Sequence, residues 1–140
     1  MISSKDLLQD MYEAVKGIAD KTYLLERPSS TSDNLNSFIV CNLPSAIYNQ
    51  EMSDEGEYGY YTTTAQFEIY VRDKVTSSNI NQVDIMNLSR VVGSVLRKFP
   101  MNLPNCIITN PVETLSISDG KQFHCTIIQG KLITKIILNI

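Results

Sequence analysis

Between Tyr58 and Arg72 the chain alternates. Tyr61, Thr63, Ala65, Phe67, Ile69 and Val71 fall on one side, and Tyr60, Thr62, Thr64, Gln66, Glu68, Tyr70 and Arg72 on the other. A period of two carried by β-branched and aromatic residues marks a half-buried strand. At about 3.3 Å per residue such a run spans roughly 50 Å. A compact domain of this length has a diameter near ~37 Å. The strand therefore bends, or its Tyr- and Thr-rich start leaves the domain as an arm and touches something else.

The rest of the pattern fills in around it. Leu7, Leu8, Met11, Tyr12, Val15, Ile18 and Ala19 recur at helical spacing, Ser3 or Ser4 can cap that helix, and Asp6 suits its positive end. Tyr23 to Leu25 is a short apolar piece, and Arg27 to Ser37 reads as a polar loop. Phe38 to Leu43 reads as a strand ending before Pro44, with a second loop from Ser45 to Glu57. After the long strand, Asp73 to Asn79 turns into a second helix, capped by Ser78 or Asn79. Its apolar positions run from Ile80 to Phe99, with Ile85 and Leu88 on a buried rear face, and Pro100 stops it. The final third reads as β. Cys106 to Thr109 is a strand ended by Asn110-Pro111, and Val112 to Ser118 and Gln122 to Gln129 flank Asp119-Gly120 as a hairpin. Gly130-Lys131 turns the chain again before Leu132 to Ile140, whose alternate residues make an apolar face that must be paired to escape aggregation. This order predicts one α+β domain over residues 1–140, with loops near 26–37 and 44–57. Its mainly antiparallel sheet carries a long hairpin or arm, and two helices pack on one face.

Composition narrows the function classes. A length of 140 residues, 43% apolar and 19% charged, buries a core without staples. The net charge of −3 with scattered cations argues against general nucleic-acid binding. Three cysteines, Cys41, Cys106 and Cys125, an odd number without close spacing, make a poor disulfide framework and a poor metal site. They read as buried free thiols of a reducing compartment. No leader pattern or membrane-spanning run is predicted.

Little in the chain points to chemistry. His124 is the only histidine. It shares the less apolar side of its strand with Thr126, and adjacent Cys125 faces the other way, so a surface or interface histidine is expected. Glu51, Asp54, Glu55 and Glu57 make an acidic loop whose spacing does not match a calcium loop. It suits docking on a basic partner or lining a passage for anionic DNA. There is no phosphate-binding glycine motif. Tyr58, Tyr60, Tyr61, Thr62 and Thr64 lack neighbouring cations for base stacking and suit a subunit interface instead.

The leading amphipathic helix, the strand FIVCNLP, the long strand TAQFEIYVRD, the helix VDIMNLSRVVGSVLRKF and the closing strands follow one another in a telling order. That order resembles the tail-terminator (tail-completion) and head–tail joining proteins of tailed bacteriophages. The resemblance covers most of the chain as an order of elements. It implies a non-enzymatic structural protein of the virion, assembled in the host cytoplasm, with no cofactor, no metal and no membrane contact. It further implies a six- or twelve-fold ring at the neck or tail end, in contact with neck or tail proteins such as a portal adaptor or tail tube. DNA would pass through the ring without sequence-specific binding. The alternative is a small non-viral α+β binding or adaptor module, and an enzyme dependent on His124 is a third.

Overall fold

The computed structural model describes residues 2–27, 35–52, 58–75, 81–135 and 137–138. In chain order the elements are α1 (Ser4–Val15), β1 (Lys21–Leu24), β2 (Ser37–Asn42), β3 (Tyr48–Met52), β4 (Tyr58–Arg72), β5 (Lys74–Val75) and β6 (Asn81–Gln82). There follow α2 (Ile85–Leu96), β7 (Met101–Asn102), β8 (Cys106–Glu113), β9 (Ile117–Ser118), β10 (Phe123–Thr134) and β11 (Ile137–Leu138). The principal sheet runs β1-β2-β4-β10-β8-β7, with β3 and β11 beside β4 and β9 beside β10. Among the described residues only β1 and β2 pair in parallel.

Strand β4 is the spine of this α+β fold. Along one edge it pairs with β3 over Gly59–Thr62 and with β2 over Gln66–Val71; along the other it pairs with β11 over Tyr58–Gly59 and with β10 over Thr62–Arg72. The strand that looked too long for its domain is thus shared among four partners of its own chain. Its start is no free arm awaiting a second copy, because both edges are already occupied. The segment predicted as a loop from Ser45 to Glu57 contains β3. Polar Y-N-Q-E-M carries no alternation of its own, and the template of β4 imposes the register, with a bulge between Asn49 and Glu51.

Both helices lie on one face of the sheet. Helix α1 begins with a reciprocal cap: Ser3 Oγ accepts from the Asp6 N–H (3.3 Å) and Asp6 Oδ2 accepts from the Ser3 N–H (2.9 Å). It buries Leu7, Leu8, Met11 and Val15. Helix α2 starts later than its apolar spacing predicts. Asn81–Gln82 pairs with Lys74–Val75 as a small hairpin, and Asp84 caps the helix by accepting from the Asn87 N–H at 3.2 Å. Leu88, Val91, Val92 and Val95 are buried, but Ile85 and Met86 are 61% and 81% exposed, so the expected burial of Ile85 does not occur. These helical side chains pack on Ile39, Cys41, Ala65, Phe67, Ile69, Val71, Ile108, Ile128 and Leu132. A smaller cluster of Phe38, Val40, Tyr70, Phe123 and Cys125 occupies the opposite face.

The closing strands depart from two expected turns. Strand β10 runs straight through Gly130-Lys131, and β8 runs through Asn110-Pro111; the two meet at a register shift between Gln129 and Lys131, where Asn110 takes φ 55°. Residues that would turn an isolated chain here form a bulge. The hairpin at Asp119-Gly120 is present. Asp119 Oδ1 accepts from the N–H groups of Lys121 (2.7 Å), Gln122 (3.1 Å) and Phe123 (3.1 Å), and Gly120 has φ 74°. The apolar C-terminal run is paired inside the chain, with Leu132 and Thr134 buried and β11 on β4. Ile136 and Ile140 lie outside the described residues.

Candidate interaction surface

Register decides which side chains share a face, since directly paired residues in an antiparallel ladder point the same way. Phe67, Ile69 and Val71 face the helices. Tyr60, Thr62, Thr64, Gln66 and Glu68 face away, and among the described residues no helix or strand packs over them. Across this uncovered face Thr62 sits beside Ile133 and Ile107, Thr64 beside Lys131 and Thr109, and Gln66 beside Gln129 and Val112. Its centre is tied by hydrogen bonds. Gln129 Nε2 donates to Gln66 Oε1 (2.7 Å), Gln66 Nε2 to Glu68 Oε2 (3.1 Å), and the Tyr70 hydroxyl to Glu68 Oε1 (2.8 Å). Its margin is apolar and open: Ile107 is 40% and Val112 62% exposed. A solvated antiparallel face is ordinarily polar at such positions.

At the Phe123 end, Arg27 closes the same face. Its guanidinium lies 4.7 Å from the Tyr70 ring centre and 5.5 Å from that of Phe38, and pairs with Asp119 Oδ2 at 2.9 Å. Burial alone would raise the Asp119 carboxyl. The backbone N–H groups of Lys121 and Phe123, together with Arg27, outweigh it and hold the carboxyl below its usual value. Burial first, then nearby carboxylates, pushes Cys41 and Cys106 up to about 12. Burial likewise raises Cys125 to about 11.

On the helix side, β4, β2 and the start of α2 enclose a polar cleft of about 450 Å³, lined by Asp20, Ser37, Arg72, Asp73, Asp84 and Arg90 among others. One of its lining residues, Asp73, is paired with His124. The His124 Nδ1 lies 2.5 Å from Oδ1 of Asp73, whose side chain is only 3% exposed. The expected surface histidine is therefore a half-buried, carboxylate-oriented one on the core side, because His124 pairs in register with Val71. A carboxylate-oriented imidazole is part of the arrangement that activates a hydroxyl. Among the described residues no hydroxyl or thiol is hydrogen-bonded to it.

The predicted interface residues divide between the two faces. Tyr60, Thr62 and Thr64 lie half-buried on the uncovered face, whereas Tyr61 is on the other, its N–H donating to Thr134 Oγ1 at 2.7 Å. The backbone of Tyr58 pairs with Leu138. Glu51 belongs to β3, opposite Tyr60, rather than to a loop, and Asp54, Glu55 and Glu57 lie outside the described residues. The exposed pair Ile107 and Val112 was not visible in the sequence as part of this face, because the expected turn at Asn110-Pro111 hid their common strand. Sequence reading missed the Asp73–His124 pair because the two are 51 positions apart. Compared with family models and with curated proteins, the chain matches none.

Proposed function

We propose that this chain is a non-enzymatic structural subunit of a tailed-phage virion. It assembles as a ring around the DNA channel at the head–tail connector or tail terminus. The observation that carries the reading is that two opposite sides of the molecule each leave apolar side chains uncovered. On one side are Ile107 and Val112 beside Tyr60, Thr62 and Thr64; on the other are Ile85 and Met86 at the start of α2, with Leu115, 90% exposed, across a small groove from Leu88. A ring requires head-to-tail contacts between two different patches of one subunit, and exposed apolar groups with tyrosine suit such patches. The start of β4 contributes through its side chains, since its backbone edges are taken; the outer edge of β3, which no described residue pairs with, is open to strand addition beside it, as are those of the terminal strands β1 and β7. The test is mass in solution, by light scattering and electron microscopy, alone and with portal-adaptor or tail-tube protein. A ring is expected; a strict monomer that binds neither component would defeat the proposal.

The polar cleft beside His124 favours a second reading, a small binding module of non-viral role. A discrete small-molecule ligand that protects the Asp73–His124 pair from exchange, in a chain that never self-associates, would establish it.

A further inference from the structure

A groove of about 480 Å³ runs between the end of α1 and the outer side of α2, lined by Gly17, Ile18, Arg90, Ser94, Arg97 and Lys98. Its charged lining is wholly basic, and all three cations are exposed. Among the described residues no carboxylate forms an ion pair with any of them. Arg90 also borders the polar cleft, but the carboxylates there are engaged elsewhere: Asp84 with Lys74, Asp73 with His124, and Asp20 with the Asn36 N–H. The helix dipole favours cations at the end of α2 and so accounts for Arg97 and Lys98, just past Leu96. It does not account for Arg90, which sits in the middle of the helix.

The guanidinia are held in place. Arg90 Nη2 donates to Asn87 Oδ1 (2.7 Å) and Arg97 Nη2 to Ser94 Oγ (3.2 Å). Gly93 leaves the room in which the second one lies, since a β-carbon there would stand 3.3 Å from Arg97 Nη1. Each guanidinium is thus drawn back by about one turn. The two keep the spacing of their positions, two turns or about 10 Å along the axis. Charges that far apart cannot grip one phosphate or one carboxylate between them. They suit a polyanion whose charges follow in series. Duplex DNA carries one charge per about 3.4 Å of axis on each strand, and guanidinium forks match phosphate oxygens bidentately. We infer that the α2 groove is the side of the subunit that meets DNA, its cations set against backbone phosphates. This rests on the ring proposed above and names the side of each copy that faces the channel. The apolar side chains assigned to subunit contacts, Ile107 and Val112 on one side and Ile85, Met86 and Leu115 on the other, do not line this groove. Three cations in one copy of a chain of net charge −3 make a weak grip. A ring repeats them around its axis, so contacts that are weak singly add up, and binding through phosphates alone still lets DNA slide.

The experiment removes the charges without reversing them. One variant carries Arg90→Gln, Arg97→Gln and Lys98→Gln. A control loses as many cations elsewhere, through Lys5→Gln, Lys21→Gln and Lys135→Gln, all at exposed positions. Light scattering gives the mass of each, and fluorescence anisotropy its binding to a random-sequence DNA duplex. Wild type is expected to bind, and to weaken by at least about 40-fold between roughly 50 and 200 mM salt, the slope for three phosphate contacts in one copy. The groove variant is expected to keep its mass and its melting curve, to bind at least about ten-fold more weakly at the lower salt, and to lose most of that slope, while the control follows wild type. Equal binding by wild type and groove variant, equal loss in both variants, or no binding by wild type overturns the inference and leaves the ring standing. A groove variant that falls to monomers, or that keeps DNA but loses a tail-tube or portal-adaptor protein, makes the groove a protein contact and overturns it as well. A wild type that is monomeric with every virion component overturns the ring. Groove-dependent duplex binding by that monomer would still uphold the phosphate contact, and its absence would remove both.

Discussion

Gly130 and Ala65 face each other across the β4–β10 ladder, and the room they leave is filled by Phe99. A β-carbon built at Gly130 would stand 2.7 Å from Ile108 Cγ2 and 2.8 Å from Phe99 Cε1, both closer than carbon atoms tolerate. Ile108 is fully buried and Phe99 is packed against the same core, so neither yields cheaply. Gly130→Ala is therefore expected to cost about 1–3 kcal/mol in urea unfolding, with the helical signal unchanged. A stability within 0.5 kcal/mol of wild type, to order of magnitude the spread of a surface change, would mean the core gives way there. The same core silences Cys41 and Cys106, and the smaller cluster on the opposite face does so for Cys125. The thiolate is the reactive form, and a thiol held near 12 leaves on the order of one molecule in ten thousand ionised at pH 8. Native protein should give no rapid colour with a disulfide reagent at that pH, and all three thiols should react after unfolding. Their burial was legible in the sequence, since each sits in an apolar run. The role of Gly130 was not. Glycine next to lysine signals a turn in an isolated chain, and only the ring of Phe99, thirty-one positions earlier, shows that the glycine is there for space.

Among the elements, those with a period of their own were legible. Helix α1, with its stripe and its Ser3–Asp6 cap, strand β2, the alternation of β4 and the Asp119-Gly120 hairpin all stand where local chemistry puts them. Strand β3, the late start of α2 and the continuity of β8 were not legible, because their registers are set by partners distant in sequence. The link between the second face and the hairpin is of this non-local kind. Arg27 joins the Asp119 turn to the Phe38, Tyr70 and Phe123 rings. Arg27→Ala is expected to destabilise by about 2–3 kcal/mol, through the lost ring contacts and a carboxylate left without its cation. The pH dependence has a definite sign. The Asp119 carboxyl is held lower in the folded state than in the unfolded one, so its contribution is present above 3.8, its ordinary value, and is lost as pH falls through the lower folded value. Acid melts should show wild type losing stability in that window more steeply than Arg27→Ala. Equal slopes would remove Arg27 as the cause.

For the whole molecule, the length of β4 once implied an arm reaching out to another copy. Two of its own neighbours, β3 and β11, take up that length instead. What the molecule leaves open is a face, and a face reveals itself only when strands far apart in sequence are laid side by side. Tyr60, Thr62 and Thr64 share one side of β4 by alternation alone, while Ile107 and Val112 needed the β8–β10 register to place them on the same face. This makes a sharp contrast possible between folding and assembly. Val112 is mostly exposed and Ile107 is 40% exposed on the open face, and a lysine stem can lie along that face, so Ile107→Lys with Val112→Lys should shift stability by no more than about 1–2 kcal/mol. A lysine pressed into a subunit contact, however, brings an unpaired charge into a desolvated patch, which costs several kcal/mol of association. If the proposed ring forms through this face, sedimentation velocity should show the wild type as a ring and the double variant as a folded monomer, the loss of association far exceeding the small change in melting. If the variant still sediments as a ring, the uncovered face meets solvent or a different partner, and the subunits join elsewhere.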